Sequence, residues 1–254
     1  MKRRSALPFA LLLLLLRPVP GLAGAGAGAG QGSTAVCIRF QENVGERFDP
    51  FIENAYLVVD PAAKSALLID PGVPDPRIDD YLARKGLVLR AILNTHGHPD
   101  HTGGDDHYAR AFRVKVYAHR LERPLMLTDP SLMVFFATTG PVEIGGFKLT
   151  ILPVPGHTPG SVAYLIGGLL FTGDTLFKGG IGVAWGATQA ERDRSVQQEL
   201  DGIAHQLLTL PADTVIYPGH GDESTVGIEK ASNPCLRPGA AGPTGTPATS
   251  FREH

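Results

Sequence analysis

Within the six-residue segment His96-Gly97-His98-Pro99-Asp100-His101, four side chains are imidazoles or carboxylates, and the segment closely follows the apolar run Ala91-Ile92-Leu93. That density of nitrogen and oxygen donors is the layout of a metal site. Leu87 to Leu93 reads as a buried strand, and Asn94, Thr95 and Gly97 read as the turn leaving it. The donors therefore sit on a loop at a strand's end, where catalytic groups tend to be held. His96 and His98, two apart, can point the same way from an extended segment. Asp100 and His101 follow a proline and can turn toward a second point, so one loop can feed two adjacent ions.

A single loop histidine would be unremarkable among the nine in the chain, but three further positions repeat the context. His157 stands in Pro155-Gly156-His157-Thr158-Pro159-Gly160, and His220 in Tyr217-Pro218-Gly219-His220-Gly221, each after an apolar run and a Pro-Gly. Asp174 ends the short strand-like run Leu169-Leu170-Phe171-Thr172-Gly173. Four strand ends thus deliver five histidines and two aspartates, a donor set suited to zinc or another divalent first-row metal.

Four ordered motifs, H-x-H-x-D-H at His96 to His101, G-H-T-P-G-S at Gly156 to Ser161, F-T-G-D-T-L-F at Phe171 to Phe177 and Y-P-G-H-G at Tyr217 to Gly221, resemble the metallo-β-lactamase-fold hydrolases. Within them the chain is most similar to the short, single-domain glyoxalase II-like (hydroxyacylglutathione hydrolase-like) branch, from about Asn54 to about Pro234. The resemblance implies an α/β fold, an αββα sandwich of two mixed β-sheets flanked by helices. It puts His96, His98 and His157 on one metal and Asp100, His101 and His220 on a second, with Asp174 bridging. Asp100 and Asp174 are accordingly the expected catalytic carboxylates. Two divalent ions about 3.5 to 4 Å apart need such a shared carboxylate to offset their repulsion. Zinc is the first expectation, with iron or manganese as alternatives. Zinc brings the pKa of bound water to about 7, supplying hydroxide without a Ser or Cys nucleophile.

The expected activity is hydrolysis of a small-molecule thioester or related ester. A β-lactamase or a mononuclear-iron sulfur dioxygenase on the same fold is the alternative. Asp174 argues against the former, whose members usually carry Cys or Ser there. One departure from the glyoxalase II pattern bears on substrate: Val183 stands where relatives usually place Arg or Lys, in the region that contacts glutathione. Lys178 or Lys230 are the candidates to compensate. With about twenty residues after Pro234, no extra helical glutathione-holding domain is expected.

Met1-Lys2-Arg3-Arg4 is basic and Ala6 to Leu16 apolar, which reads as a signal peptide ending near Ala23 or Ala25. The apolar stretch is shorter than the roughly 20 residues of a membrane-spanning helix. The expected organisation is signal peptide 1–23, Gly/Ala-rich linker 24–34, catalytic domain 35–237 and disordered tail 238–254, in a secreted or periplasmic protein. A formal net charge of -2 without a basic stripe gives no reason to expect nucleic acid. Cys37 and Cys235 can pair in an oxidising compartment or stay as two thiols.

The elements that must hold the donors alternate strand and helix. Strands are expected over 36–40, 55–59, 66–69, 114–118, 147–154, 161–166, 169–171 and 214–217, with a hairpin turn at Gly167-Gly168. Helices are expected over Asp75 to Lys85, Asp100 to Phe112 and Ala190 to Leu210, and after a cap at Ser224. Val196, Leu200, Ile203, Leu207 and Leu210 form the apolar stripe of the longest. The apolar stretch from Met126 to Phe136, bracketed by turn signals, reads as a flap over the cleft. Trp185 and Phe177 are candidates to line a pocket, while His107, His119 and His205 read as solvent-facing or capping.

Overall fold

The computed structural model describes residues 35–45 and 52–237. The expected leader, linker and tail lie outside the described residues. Two six-stranded mixed sheets form the frame. The first runs in spatial order β1 (Val36–Asn43), β2 (Ile52–Asp60), β3 (Ser65–Ile69), β4 (Val88–Leu93), β5 (Val116–His119) and β6 (Met133–Phe136). Its β1, β2 and β3 are antiparallel and the rest parallel. The second contains β7 (Gly140–Ile144), β8 (Phe147–Pro153), β9 (Val162–Ile166) and β10 (Leu169–Gly173), extended by β13 (Val215–Pro218) and β14 (Ser224–Thr225), with β13 parallel to β10. A small hairpin, β11 (Leu176–Phe177) and β12 (Gly180–Ile181), stands apart.

Side-chain periodicity explains the layering. β2 and β3 are buried on both faces, so alternate residues serve two cores. Tyr56, Val58, Leu67 and Ile69 join Leu149, Ile151, Tyr164 and Phe171 of the second sheet in a central layer. Leu57, Val59, Ala66 and Leu68 face outward onto Ile78 and Leu82 of α1 (Pro76–Lys85) and Tyr108 and Ala109 of α3 (Asp105–Phe112). On the other side, Ala163, Leu170 and Ile216 pack against Ile203, Leu207 and Val226. The molecule is therefore helix, sheet, sheet, helix. No helix among the described residues is long and apolar enough to cross a membrane.

Local chemistry sets the helix ends. Asp75 accepts the Arg77 N–H at 2.8 Å, Pro76 occupies the first turn, and Gly86 at φ 60° closes α1. The helix expected over 100–112 is two pieces, α2 (Pro99–Thr102) and α3. It breaks at Gly103-Gly104 because the Pro71-Gly72-Val73 backbone presses there, with Gly104 N–H donating to Pro71 O at 2.8 Å. A capping box of Thr188 and Glu191 opens α4 (Gln189–Gly202), which continues as a π-helical turn over Ile203–Leu207. Of its expected stripe, Ile203 and Leu207 are buried, and Leu200 and Leu210 pack on the same core from partly buried positions. Helix α5 (Val226–Ser232) is capped by Thr225 rather than Ser224, which belongs to β14.

The expected flap is instead the edge of the first sheet. Met133 to Phe136 pair with Val116 to His119, and Leu132, Met133 and Phe136 pack against the cores. A parallel edge strand shows no period-2 signal when both faces are half-covered, and all four residues are intermediate in burial. The two cysteines are free and pack against different cores.

Candidate metal centre

All seven sequence-derived donors converge at one rim of the sandwich, each just past the end of a strand. His96 to His101 follow β4, His157 follows β8, Asp174 follows β10 and His220 follows β13. His98 Nδ1 lies 3.0 Å from both His96 Nε2 and His157 Nε2. Beside this trio, Asp174 Oδ1 is 3.3 Å from His101 Nε2, and Asp174 Oδ2 is 3.4 Å from His220 Nε2 and 3.6 Å from His157 Nε2. Asp100 Oδ2 is 3.4 Å from His220 Nε2 and 3.8 Å from His101 Nε2. Asp174 thus stands between a set of three imidazoles and a set of Asp100, His101 and His220.

These separations suit metal ions. Donors around a four-coordinate ion with bonds of about 2.0 to 2.2 Å sit roughly 3.3 to 3.6 Å from one another. The Asp174 contacts fall in that range, the imidazole trio is tighter at 3.0 Å, and Asp100 to His101 is wider at 3.8 Å. Buried polar atoms without a well-aligned partner are expensive, yet His101 Nε2 and Asp174 Oδ1 are buried and face each other at 3.3 Å without hydrogen-bond geometry. The donor chemistry, the spacing and this poorly satisfied pair all fit divalent cations.

The far side of four of the five rings is held too. His101 Nδ1 donates to Asp70 Oδ2 at 3.2 Å, His157 Nδ1 to Val183 O at 3.0 Å, and His220 Nδ1 to Ile52 O at 2.6 Å. His96 Nδ1 lies 3.1 Å from Thr95 Oγ1, which in turn donates to Asp70 Oδ2 at 2.6 Å. Such outer partners fix the ring and its tautomer so that the inner nitrogen is presented as a lone pair. Asp70, which also accepts the Thr95 N–H at 2.7 Å, therefore steadies both histidine sets. Sequence reasoning passed over it, although Ile69-Asp70-Pro71-Gly72 is another apolar run ending in a carboxylate.

Glycines make room for the carboxylate bridge. A Cβ on Gly219 would collide with Asp174 Oδ1 and with the His101 ring, and one on Gly173 with Thr95 Oγ1. Asn54 fixes the last loop, its Nδ2 donating to Pro218 O and Gly221 O at 3.0 Å each.

The electrostatics divide the same way. Burial and neighbouring imidazoles hold His96 well below the ordinary histidine range and His98 down to about 4, keeping both neutral. Burial also lowers His157. At the other set, burial opposes charging His220, but Asp100 and Asp174 outweigh it and lift its pKa to about 9. Asp174 and Asp70 likewise lift His101 well above its usual value against the effect of burial. Burial would raise Asp174, but His101 and His220 hold it well below the carboxylate range. The paired carboxylates draw positive charge to this end, as a cation-binding site must.

Around the mouth the side chains are apolar. Trp185 is 52% exposed with its ring 5.7 Å from that of His98, Val183 is 39% exposed beside His157, and the Phe177 ring is 6.2 Å from His220. Lys178 faces Asp222 at 3.5 Å, and Lys230 reaches Leu208 O at 3.3 Å. The other described histidines, His107, His119 and His205, stay outside the centre. His107 pairs with Asp79 at 3.4 Å and His205 is an exposed-face residue bonded to Asp201 O. His119 is neither solvent-facing nor a side-chain cap: it is half-buried with its ring 5.7 Å from Phe136.

Comparison with known proteins agrees with this geometry. The profile of the Metallo-beta-lactamase superfamily matches residues 48–220. The probable metallo-hydrolase YqgX of Bacillus subtilis is 36% identical over 207 residues, covering 74% of this chain and 93% of that one. Hydroxyacylglutathione hydrolase GloC of Haemophilus influenzae is 32% identical over 204 residues, covering 73% and 93%. Among solved structures, the BLEG-1 B3 metallo-beta-lactamase superposes with a TM-score of 0.63 at 30% identity, covering 78% of this chain and 99% of that one. The chain belongs to the metallo-beta-lactamase superfamily, in its glyoxalase II-like branch, and is a metal-dependent hydrolase.

Proposed function

We propose that this protein hydrolyses thioesters, or related esters, with an apolar acyl or thiol portion, using two divalent ions of which zinc is the first choice. The observation that carries the reading is Asp174, set within 3.3 to 3.6 Å of three histidine nitrogens drawn from both sets. His96, His98 and His157 would hold one ion, Asp100, His101 and His220 the other, and Asp174 both. Bound there, the ions would supply Lewis acidity toward a carbonyl and an ionised water near neutral pH.

The chain's own residues do the rest. Asp70, Val183 O and Ile52 O keep four of the five rings oriented, directly or through Thr95. His96, His101, His157 and Asp174 are buried, while His98, Asp100 and His220 lie toward the mouth with partial exposure. Trp185, Val183 and Phe177 offer an apolar surface beside the donors, which favours an apolar substrate portion over the carboxylates of glutathione. We also propose that the chain is exported, on the basic and apolar pattern of its first residues.

The test is a panel on zinc-loaded protein: S-lactoylglutathione, apolar acyl thioesters, lactones and a chromogenic β-lactam. The reading requires the apolar thioesters to give the highest kcat/KM. A preference for the β-lactam, or for S-lactoylglutathione with a micromolar KM, would overturn it.

A further inference from the structure

Glu122 lies in the short turn after β5, far in sequence from every donor loop but one, and its side chain is fully buried. A buried carboxylate is costly unless donors surround it. Here they come from two separate loops. Glu122 Oε2 accepts the Gly97 N–H at 2.7 Å, from the middle of His96-Gly97-His98. Glu122 Oε1 accepts the Gly160 N–H at 2.6 Å and the Thr158 hydroxyl at 2.9 Å, from the segment that begins at His157. One carboxylate therefore spans the two loops that carry all three imidazoles of the first set. One loop leaves the first sheet and the other leaves the second.

Two glycines admit this approach. A Cβ on Gly160 would come within 2.7 Å of Glu122 Oε1, and one on Gly97 would sit 3.2 Å from Oε2 and 2.9 Å from the Leu125 Cβ. The glycines inside H-G-H and H-T-P-G thus share Glu122 as a close neighbour, together with Leu125 at Gly97 and His119 and Leu121 at Gly160.

We propose that Glu122 is a positioning residue that clamps the His96–His98 loop to the His157 loop and so presets the three-imidazole set for a divalent cation. The inference rests on the reading of that set as metal-binding. His96 and His157 have outer partners of their own, but among the described residues His98 Nε2 has no hydrogen-bond partner, so the aim of that ring depends on its loop. Without the clamp, ordering of the two loops must be supplied by the ion itself, and that cost appears as lost affinity.

The experiment is a titration of Zn2+ against a chromophoric chelator with metal-free protein, comparing the unaltered chain with E122Q, E122A and T158V. Each chain is also examined in an H220A background, which leaves only the first set complete. E122Q keeps an oxygen for Gly160 and Thr158 but turns an amide N–H toward the Gly97 N–H, so it frees one loop; E122A frees both. Loss of such an outer contact typically weakens metal binding about 10- to 100-fold. First-set affinity should fall by that factor in E122Q and further in E122A, with second-set affinity unchanged. T158V, which removes the hydroxyl bond to Glu122 but keeps both backbone bonds, should lose less first-set affinity than E122Q. Thermal midpoints of the metal-free chains are recorded alongside. Variants that melt earlier yet bind zinc at the first set as tightly as before would overturn the clamp and leave Glu122 a merely structural residue. If the unaltered chain binds no zinc, the metal reading itself fails, which is a separate outcome.

Discussion

Replacing Glu199 with Gln should make the protein more stable at alkaline pH and flatten its pH dependence. Glu199 is fully buried on α4, behind the His157 loop, where a Cβ on Gly156 would collide with the Glu199 side chain. Among the described residues neither carboxyl oxygen has a hydrogen-bond partner in good geometry, and the Gly182 amide is the donor that acts on the carboxyl. Burial pushes the pKa from 4.5 up to about 9, with the Gly182 amide acting weakly the other way. The folded state therefore holds a proton that the unfolded chain gives up above about 4.5. Stability from this residue is complete below that pH, falls as pH rises, and levels off above about 9. The slope is at most about 1.4 kcal/mol per pH unit. Gln keeps the shape and cannot ionise. Urea denaturation of both chains at pH 5.5, 7 and 8.5 with the same zinc concentration isolates the residue as a difference. That difference should grow in favour of the variant by up to about 4 kcal/mol across the range. Parallel curves for the two chains would refute the argument.

Val183→Arg should lower the KM for S-lactoylglutathione about 10- to 100-fold, the worth of a charge-assisted pair of about 1.5 to 3 kcal/mol, while leaving apolar thioesters nearly unaffected; equal impairment of every substrate in steady-state assays would contradict it. Asp70→Asn removes an acceptor shared by Thr95 and His101 and should reduce kcat/KM or zinc affinity about 10- to 100-fold. His107→Ala, at the exposed Asp79 pair, should leave both quantities unchanged.

The donors were legible because each group follows an apolar run and a turn, Asn94-Thr95 before His96, Pro-Gly before His157 and His220, and Gly173 before Asp174. Most of the longer strands were legible from their apolar runs, while their grouping into two sheets was what the family resemblance implied. What failed to show were features made by contact between distant segments. The break at Gly103-Gly104 depends on the backbone of Pro71 to Val73. The Met133–Phe136 strand is defined by pairing with β5 rather than by its own alternation. Glu122 reads as an ordinary surface residue until Gly97 and Gly160 are seen to converge on it. The short π-helical turn at Ile203–Leu207 has no sequence mark that we can identify.

Metal content of the purified, chelator-free protein, measured beside Asp174→Ala, tests the central claim most directly. Two divalent ions per chain are expected for the unaltered protein, most often zinc. Asp174→Ala should lose the ion at Asp100, His101 and His220 first, and its activity should fall by orders of magnitude. A reproducible single iron with oxygen consumption on a persulfide, or an Asp174→Ala variant that retains both ions, would contradict a two-metal hydrolase built around Asp174.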